Sequence, residues 1–237
     1  MAVGGDGTWS HVAGAILDSG EAVELALVAG GTGCDFAKSL GIPARDLAAA
    51  ARTALFGVTR AVDVGRIENR WFLNVAGFGL DIAVLERSWT VRWLSGDLVY
   101  PWCAVQEVFA YDGFEASLRR DGDPAERRDL VMLILANARQ FGGLFPIAPQ
   151  ADLEDGQIDA IGFSNCGPVG RVTLLGRLLA KRHQTDPRVF SRRFSRLHLS
   201  FATAPTYETD GEWNRALGTE LEVCCFPKAL RVLVPPP

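Results

Sequence analysis

The stretch Gly4-Gly5-Asp6-Gly7-Thr8, answered further on by Gly30-Gly31-Thr32-Gly33-Cys34-Asp35-Phe36-Ala37, decides how this chain is read. Each turn stands where an apolar strand should give way to a helix. Glycines let the backbone approach a ligand closely, and the N–H groups of a helix start complement negative charge. Two such turns at consecutive strand ends suit the phosphates of a nucleotide. A carboxylate between glycines, with Thr8 beside it, can also hold Mg²⁺ there, directly or through water. Taken alone, the first turn is equally a tight bend with Asp6 capping the next helix.

Around these turns the pattern alternates. Thr8 is placed to cap a helix through Leu17, Val23–Ala29 reads as a strand, and Cys34–Leu40 as a helical turn stopped by Gly41 and Pro43. Ala44–Phe56 is an alanine-rich helix with an Asp46 start and a Gly57 stop. This alternation implies a parallel sheet whose ligand site lies beyond the strand carboxyl ends. After Gly57 the composition changes to many short strands, predicted at 59–68, 70–76, 114–120, 129–137, 158–163, 196–202, 206–209, 220–226 and 230–234. Helices are expected at Asp97–Ala110 and Pro168–His183, the latter with Val172, Leu175 and Leu179 on one face. The expected class is α/β plus β: a nucleotide-binding α/β lobe over 1–58, then a larger antiparallel β-sandwich over 59–237 whose last strands are free to return to the first lobe.

Composition narrows the function classes. The 237 residues are 48% hydrophobic and 22% charged, with a net charge of −4, which argues against a nucleic-acid partner. The apolar run Leu130–Ala136 is too short to span a bilayer, so any membrane contact should be peripheral. Met1-Ala2-Val3 runs straight into glycines, so no signal peptide is expected. The cysteines (Cys34, Cys103, Cys166, Cys224, Cys225) are odd in number and form no C-x-x-C pair, which fits a reducing, cytoplasmic setting. His11, His183 and His198 are scattered and read as surface or packed residues. Neither G-x-x-x-x-G-K-[ST] nor a dinucleotide G-x-G-x-x-G after a strand occurs.

Further motifs follow in order: Val62-Asp63-Val64-Gly65-Arg66, Phe72-Leu73-Asn74-Val75-Ala76-Gly77-Phe78-Gly79-Leu80-Asp81, Asn137-Ala138-Arg139-Gln140-Phe141-Gly142-Gly143, Ala148–Gly156, and Thr209-Asp210-Gly211-Glu212. Together with the glycine turns they resemble the diacylglycerol kinase catalytic-domain family, which includes bacterial soluble lipid kinases and sphingosine kinases. The resemblance covers nearly the whole chain. It implies an ATP- and Mg²⁺-dependent kinase acting on a hydroxyl of a diacylglycerol-like or long-chain-base lipid. Gly4, Gly5, Asp6, Gly7, Thr8, Trp9, Ser10, His11, Gly31, Thr32 and Gly33 would then bind ATP. Asp6 and Asp63 would join a water-linked Mg²⁺ network, while Asp152, Asp155 and Gln157 match a second, structural Mg²⁺ site, the first and last through main-chain oxygens. Glu212 matches the proton acceptor, with Asp210 as the alternative. Phosphoryl transfer is mainly positioning and charge neutralisation, so acidic metal holders and a base suffice.

The same segments have plainer readings. Asp210-Gly211-Glu212 also suits a turn between strands, and Asp152–Gly156 a solvated hairpin tip. The segment with Trp89, Trp93, Leu94, Leu98, Val99, Tyr100 and Trp102 fits a core, an acyl groove or a membrane interface. The basic run Arg171, Arg177, Lys181, Arg182, Arg188, Arg192, Arg193 and Arg196 fits anionic headgroups or a solvated face.

The chain departs from the resemblance in three places. The family carries a strand–helix–strand–helix segment with an Asn-Pro-x-x-Gly loop before the first glycine motif, whereas this sequence opens on that motif. A truncated Rossmann-like lobe with an exposed edge strand and a half-built ATP site is therefore expected. Cys34-Asp35 replaces the usual Asn-Asp, and Ser10-His11 the usual Asn-Glu. The second hypothesis is accordingly a catalytically impaired, kinase-like lipid-binding protein. NAD kinase shares the first turn, but the later motifs follow the lipid-kinase pattern. A lipid substrate and a peripheral membrane surface are the expected partners, and a homodimer is left open.

Overall fold

The computed structural model describes residues 1–31, 34–43, 46–91, 99–120, 122–140, 142 and 145–236. Thr32, Gly33, Trp93, Leu94, Leu98, Phe141 and Gly143, singled out above, lie outside the described residues. Strand β1 (Ala2–Gly4) turns at Gly5 into α1 (Asp6–Ser19), and β2 (Glu24–Ala29) returns parallel to β1. Trp9 anchors α1: it is fully buried and its Nε1 donates to the Ala2 carbonyl at 3.3 Å. Helices α2 (Asp35–Ser39) and α3 (Leu47–Phe56) complete this part. Asp46 caps α3 by accepting from the Ala49 N–H at 2.9 Å.

Antiparallel strands dominate the rest. In order they are β3 (Val58–Ile67), β4 (Arg70–Phe72), β5 (Val75–Gly79), β6 (Phe114–Arg120), β7 (Glu126–Ala136), β8 (Ile158–Ser164), β9 (Val189–Phe194), β10 (Arg196–Phe201), β11 (Thr206–Thr209), β12 (Glu212–Arg215) and β13 (Glu220–Val234). Helices α4 (Leu80–Ser88) and α5 (Val99–Ala110) follow β5, and α6 (Pro168–Leu179) follows β8. The strand path runs β1-β2-β13-β10-β6-β7-β5-β11-β12, with β3 and β4 branching from β13, and β8 and β9 from β7. Strand β1 stands at one end of this path.

Strand β13 ties the two parts together. Residues Arg231–Leu233 lie parallel to β2, while Arg196 to Ser200 pair antiparallel with its first residues. The two strands expected at 220–226 and 230–234 are one strand, its register against β3 shifting between Phe226 and Leu230. Pro227 supplies the reason, since it has no N–H to give a ladder. One core gathers Trp9, Phe36 and Val232, and two more gather Phe78, Leu133 and Tyr207, and Ile134, Ile161 and Leu178.

The strand expected at 70–76 is instead two, β4 and β5, and β5 runs on to Gly79, whose φ of 104° lets the chain swing into α4. On α6, Leu174, Leu178 and Arg171 face inward, whereas Val169, Val172, Leu175 and Leu179 face solvent. The basic run also breaks up. Arg171 is buried and donates to the carbonyls of Cys166 and Val108 and to Asn165 Oδ1, while Arg177 and Arg188 both pair with the buried Asp186.

Candidate active site

The two glycine turns close on one another. The N–H groups of Gly30 and Gly31 donate to the Gly4 carbonyl at 2.8 and 3.1 Å. A Cβ on Gly31 would lie 2.7 Å from the Gly5 Cα, so this approach requires glycine. Cys34 takes the left-handed φ of 52° that opens α2, and its thiol points to the Gly31 carbonyl at 3.4 Å, with burial raising its pKa. Helix α1 begins at Gly5 without a side-chain cap, which leaves its first-turn N–H groups available to an anion.

Asp6 is fixed by three donors. Its Oδ2 accepts from the Asp35 N–H at 3.0 Å, and its Oδ1 from the Phe36 N–H and Asn74 Nδ2, both at 3.0 Å. It thereby caps α2 and welds the two glycine turns together. Among the described residues one acceptor position remains on Oδ2, and Asn74 Oδ1 is buried without a partner. Trp9 belongs to the core, and Ser10, also buried, donates to the Trp71 carbonyl at 3.3 Å. Only the more open members of the first turn can meet a ligand with their side chains.

The Asp210-Gly211-Glu212 turn brings its two carboxylates to different fates. Asp210 has φ 50° and is buried; its Oδ2 accepts from the Leu73 N–H at 2.7 Å, and its Oδ1 from Asn74 and Val75 at 2.8 and 3.0 Å. Burial pushes its pKa up to about 6, against the pull of those three amides and the Ser10 hydroxyl. Glu212 is 53% exposed and stands over α1: its Oε1 lies 3.6 Å from His11 Nε2, and a Cβ on Gly7 would meet it at 3.2 Å. Thus Glu212, His11 and both glycine turns share one rim.

The remaining acidic residues lie elsewhere. Asp63 is fully buried; its Oδ2 accepts from the Gly156 N–H at 2.6 Å and its Oδ1 from the Lys228 N–H at 2.7 Å, which pins the acidic turn to the β13 irregularity. Asp152 accepts from the Glu154 N–H and Asp155 from the Gln157 N–H, and Asp155 Oδ2 faces Arg193 at 3.5 Å. Among the described residues, no three His, Cys, Asp or Glu side chains gather as a metal cluster. The Asp152–Gln157 side chains therefore do not form a cation cage.

Sequence reasoning assigned no role to Asn74, Asp81, Glu86 or Glu208. Trp213 Nε1 donates to Glu86 Oε1 at 2.9 Å, joining α4 to β12 next to Glu212. Beside α4 lies a cleft of about 490 Å³ walled by Phe78, Ile82, Tyr111, Phe114 and Phe201. A cleft of similar size, about 480 Å³, near Arg177 and Arg182 has no aromatic wall and lies away from Glu212 on β12.

This architecture is that of a known class. Residues 74–234 match the YegS C-terminal NAD kinase beta sandwich-like domain, and residues 1–67 match the diacylglycerol kinase catalytic domain. The chain belongs to this diacylglycerol kinase and YegS-like lipid kinase family. It is 29% identical to a diacylglycerol kinase of Mycobacterium tuberculosis and 31% identical to a probable lipid kinase YegS-like of Pseudomonas aeruginosa; each alignment covers 99% of this chain and 76% of the relative. The fold matches the crystal structure of a putative diacylglycerol kinase from Bacillus anthracis with a TM-score of 0.81 at 21% identity, over 99% of this chain and 76% of that one.

Proposed function

We propose that this chain transfers the γ-phosphoryl group of ATP to a hydroxyl of a diacylglycerol-like or long-chain-base lipid, with Glu212 as the base. One observation carries the assignment of the base: Glu212 is the carboxylate held over Gly7 at the uncapped start of α1. Asp210 is unsuited to that role because its oxygens already serve three amides. The first-turn N–H groups of α1 receive the phosphates, and Asp6 keeps the two glycine turns in register. Mg²⁺ travelling with the nucleotide would be held through water at Asp6 Oδ2, where it would neutralise phosphate charge. Glu212 accepts the hydroxyl proton as the oxygen attacks the γ-phosphorus.

The aromatic cleft beside α4 is the reading's acyl site, since a chain entering it remains within reach of the β12 rim. The outward faces of α5 and α6 support peripheral membrane contact. Val105, Phe109, Val169, Val172 and Leu179 are exposed there, with Lys181 and Arg182 at the end of α6. No helix among the described residues is long and apolar enough to cross a membrane.

The test is calorimetry of ATP with Mg²⁺ on the 237-residue chain, then phosphate transfer to diacylglycerol in phosphatidylglycerol vesicles. Binding and turnover, with the protein floating on the vesicles, support the reading. Flotation without ATP binding would favour the kinase-like lipid-binding protein instead.

A further inference from the structure

Two buried carboxyls outside the chemistry above face each other without a cation between them. Glu208 on β11 and Gly77 on β5 are cross-strand partners, and Asp81, in the first turn of α4, folds back over the same glycine. A Cβ on Gly77 would lie 2.1 Å from Asp81 Oδ2 and 3.0 Å from Glu208 Oε1. The two oxygens therefore stand within about 5 Å of one another, the range over which like charges disfavour each other strongly. Both oxygens of Asp81 and Oε1 of Glu208 are shut off from solvent and, among the described residues, have no hydrogen-bond partner of ordinary geometry. The other oxygen of Glu208 accepts from the Gly211 N–H at 2.5 Å, inside the turn that presents Glu212.

Among the described residues the surrounding charges do not resolve this pair. On α4, Arg87 is paired with Glu107 of α5, and Glu86 is bonded to Trp213. Arg171 of α6 is bonded to two carbonyls and Asn165. Tyr111, just past α5, has its pKa pushed up to about 12 by burial first and by Asp81 second. Asp210 adds a further negative neighbour to Glu208. Strand β5 carries no titratable residue, and those of β7 (Glu126, Arg127, Arg128 and Asp129) sit at its opening end. The amides of Asp81 and Ile82 lean on the Asp81 carboxyl without forming bonds of ordinary geometry, and they offset only part of its burial.

We propose that Asp81 and Glu208 hold one proton between them, and that this shared proton fastens α4, the wall of the aromatic cleft, to the hairpin carrying Glu212. The pair is a pH-sensitive positioning device for the acceptor side of the site, and its role in turnover rests on the lipid-kinase reading above. Two adjacent carboxyls taken out of water cannot both ionise cheaply, and a carboxyl–carboxylate bond satisfies two of the three orphaned oxygens. The direction of titration agrees: burial raises Asp81 to about 7, and burial, then the Asp81 charge, raises Glu208 well above the usual carboxylate range. Folded-state values above the unfolded ones have a definite sign. The contribution of the pair is complete below pH about 4 and is lost as pH rises through about 7.

The experiment compares wild type with Asp81→Asn, Glu208→Gln and the double variant. The first readout is thermal melting from pH 5 to 8. Wild type should lose about 5 °C more over this span than the double variant. An equal pH dependence overturns the shared proton whether or not the chain phosphorylates a lipid. The second readout is kcat against pH. Wild type should show an alkaline limb that Glu208→Gln flattens, and Glu208→Ala should lower kcat about 10-fold more than Glu208→Gln with little change in KM for ATP. An alkaline limb unchanged in Glu208→Gln overturns the positioning role. Flattened melting in a chain with no turnover supports the pair and counts against the kinase reading alone.

Discussion

Two acidic turns of this molecule look alike in sequence and behave differently. Asp210-Gly211-Glu212 and Asp152-Leu153-Glu154-Asp155-Gly156 each set carboxylates around a glycine with positive φ, 88° at Gly211 and 73° at Gly156. In the first, one acid is buried on three backbone amides and so aims the other at the glycine turns. In the second, Asp152 and Asp155 bond to amides two residues on, and the turn itself is held from outside by Asp63. A carboxylate acquires a reactive position when a neighbour takes over the structural duty. In the second turn no acid is handed over in this way: Glu154 pairs with Arg60, and Asp155 faces Arg193.

The sharpest break of this contrast is Glu212→Ala. General-base catalysis contributes about 10²–10⁴-fold, so turnover should fall by that factor. Glu212 is half exposed, and its one ion pair among the described residues is with His11, so the melting temperature should stay within about 1 °C. Steady-state kinetics beside a thermal melt checks both halves. Turnover within threefold of wild type would remove Glu212 from the chemistry.

Asp210→Ala should give the opposite pattern. It strands the amides of Leu73, Asn74 and Val75 in the interior, and an unsatisfied buried donor costs about 1–3 kcal/mol. A loss of about 3–5 kcal/mol, read as a melting temperature lower by about 10 °C, is expected. The raised pKa of about 6 moderates this, because the fold holds the Asp210 proton more tightly than the unfolded chain does. Its contribution is complete below pH about 4 and declines as pH rises through about 6. The deficit of Asp210→Ala should accordingly shrink from pH 4 to pH 7. A melt indistinguishable from wild type at every pH would show that the clamp is not structural.

The sequence made one side of this comparison legible and hid the other. Glycines at 4, 5 and 31 announce close backbone approach, and alternation of apolar strands with capped helices announces the lobe. What spacing cannot show is which oxygen meets which amide across 137 residues, as between Asp210 and Leu73. No helix was expected over 80–88, where the chain enters α4 through Gly79, a residue that disfavours helix interiors but here serves as the cap. The outward face of α6 was read from periodicity alone, which finds an apolar stripe but not its direction. Its inward side is Leu174, Leu178 and an arginine whose charge is bonded to carbonyls. Asp81 and Glu208 escaped because each is unremarkable until the fold sets them over one glycine.

The smallest expected effect belongs to the Asp155–Arg193 contact. At 3.5 Å, with side chains 25% and 42% exposed, it is screened by solvent and contributes about 0–1 kcal/mol. Asp155→Asn keeps the acceptor that the Gln157 N–H needs. The melting temperature should move by less than about 2 °C, and it should respond equally to Mg²⁺ and to a chelator in variant and wild type. This small number discriminates because a bound cation stabilises the fold by mass action, an increment that grows with its concentration. If Mg²⁺ raised the melting temperature of wild type but not of Asp155→Asn, the turn would hold a cation through its main-chain oxygens. The two acidic turns would then differ in what they bind, and no longer in whether they bind.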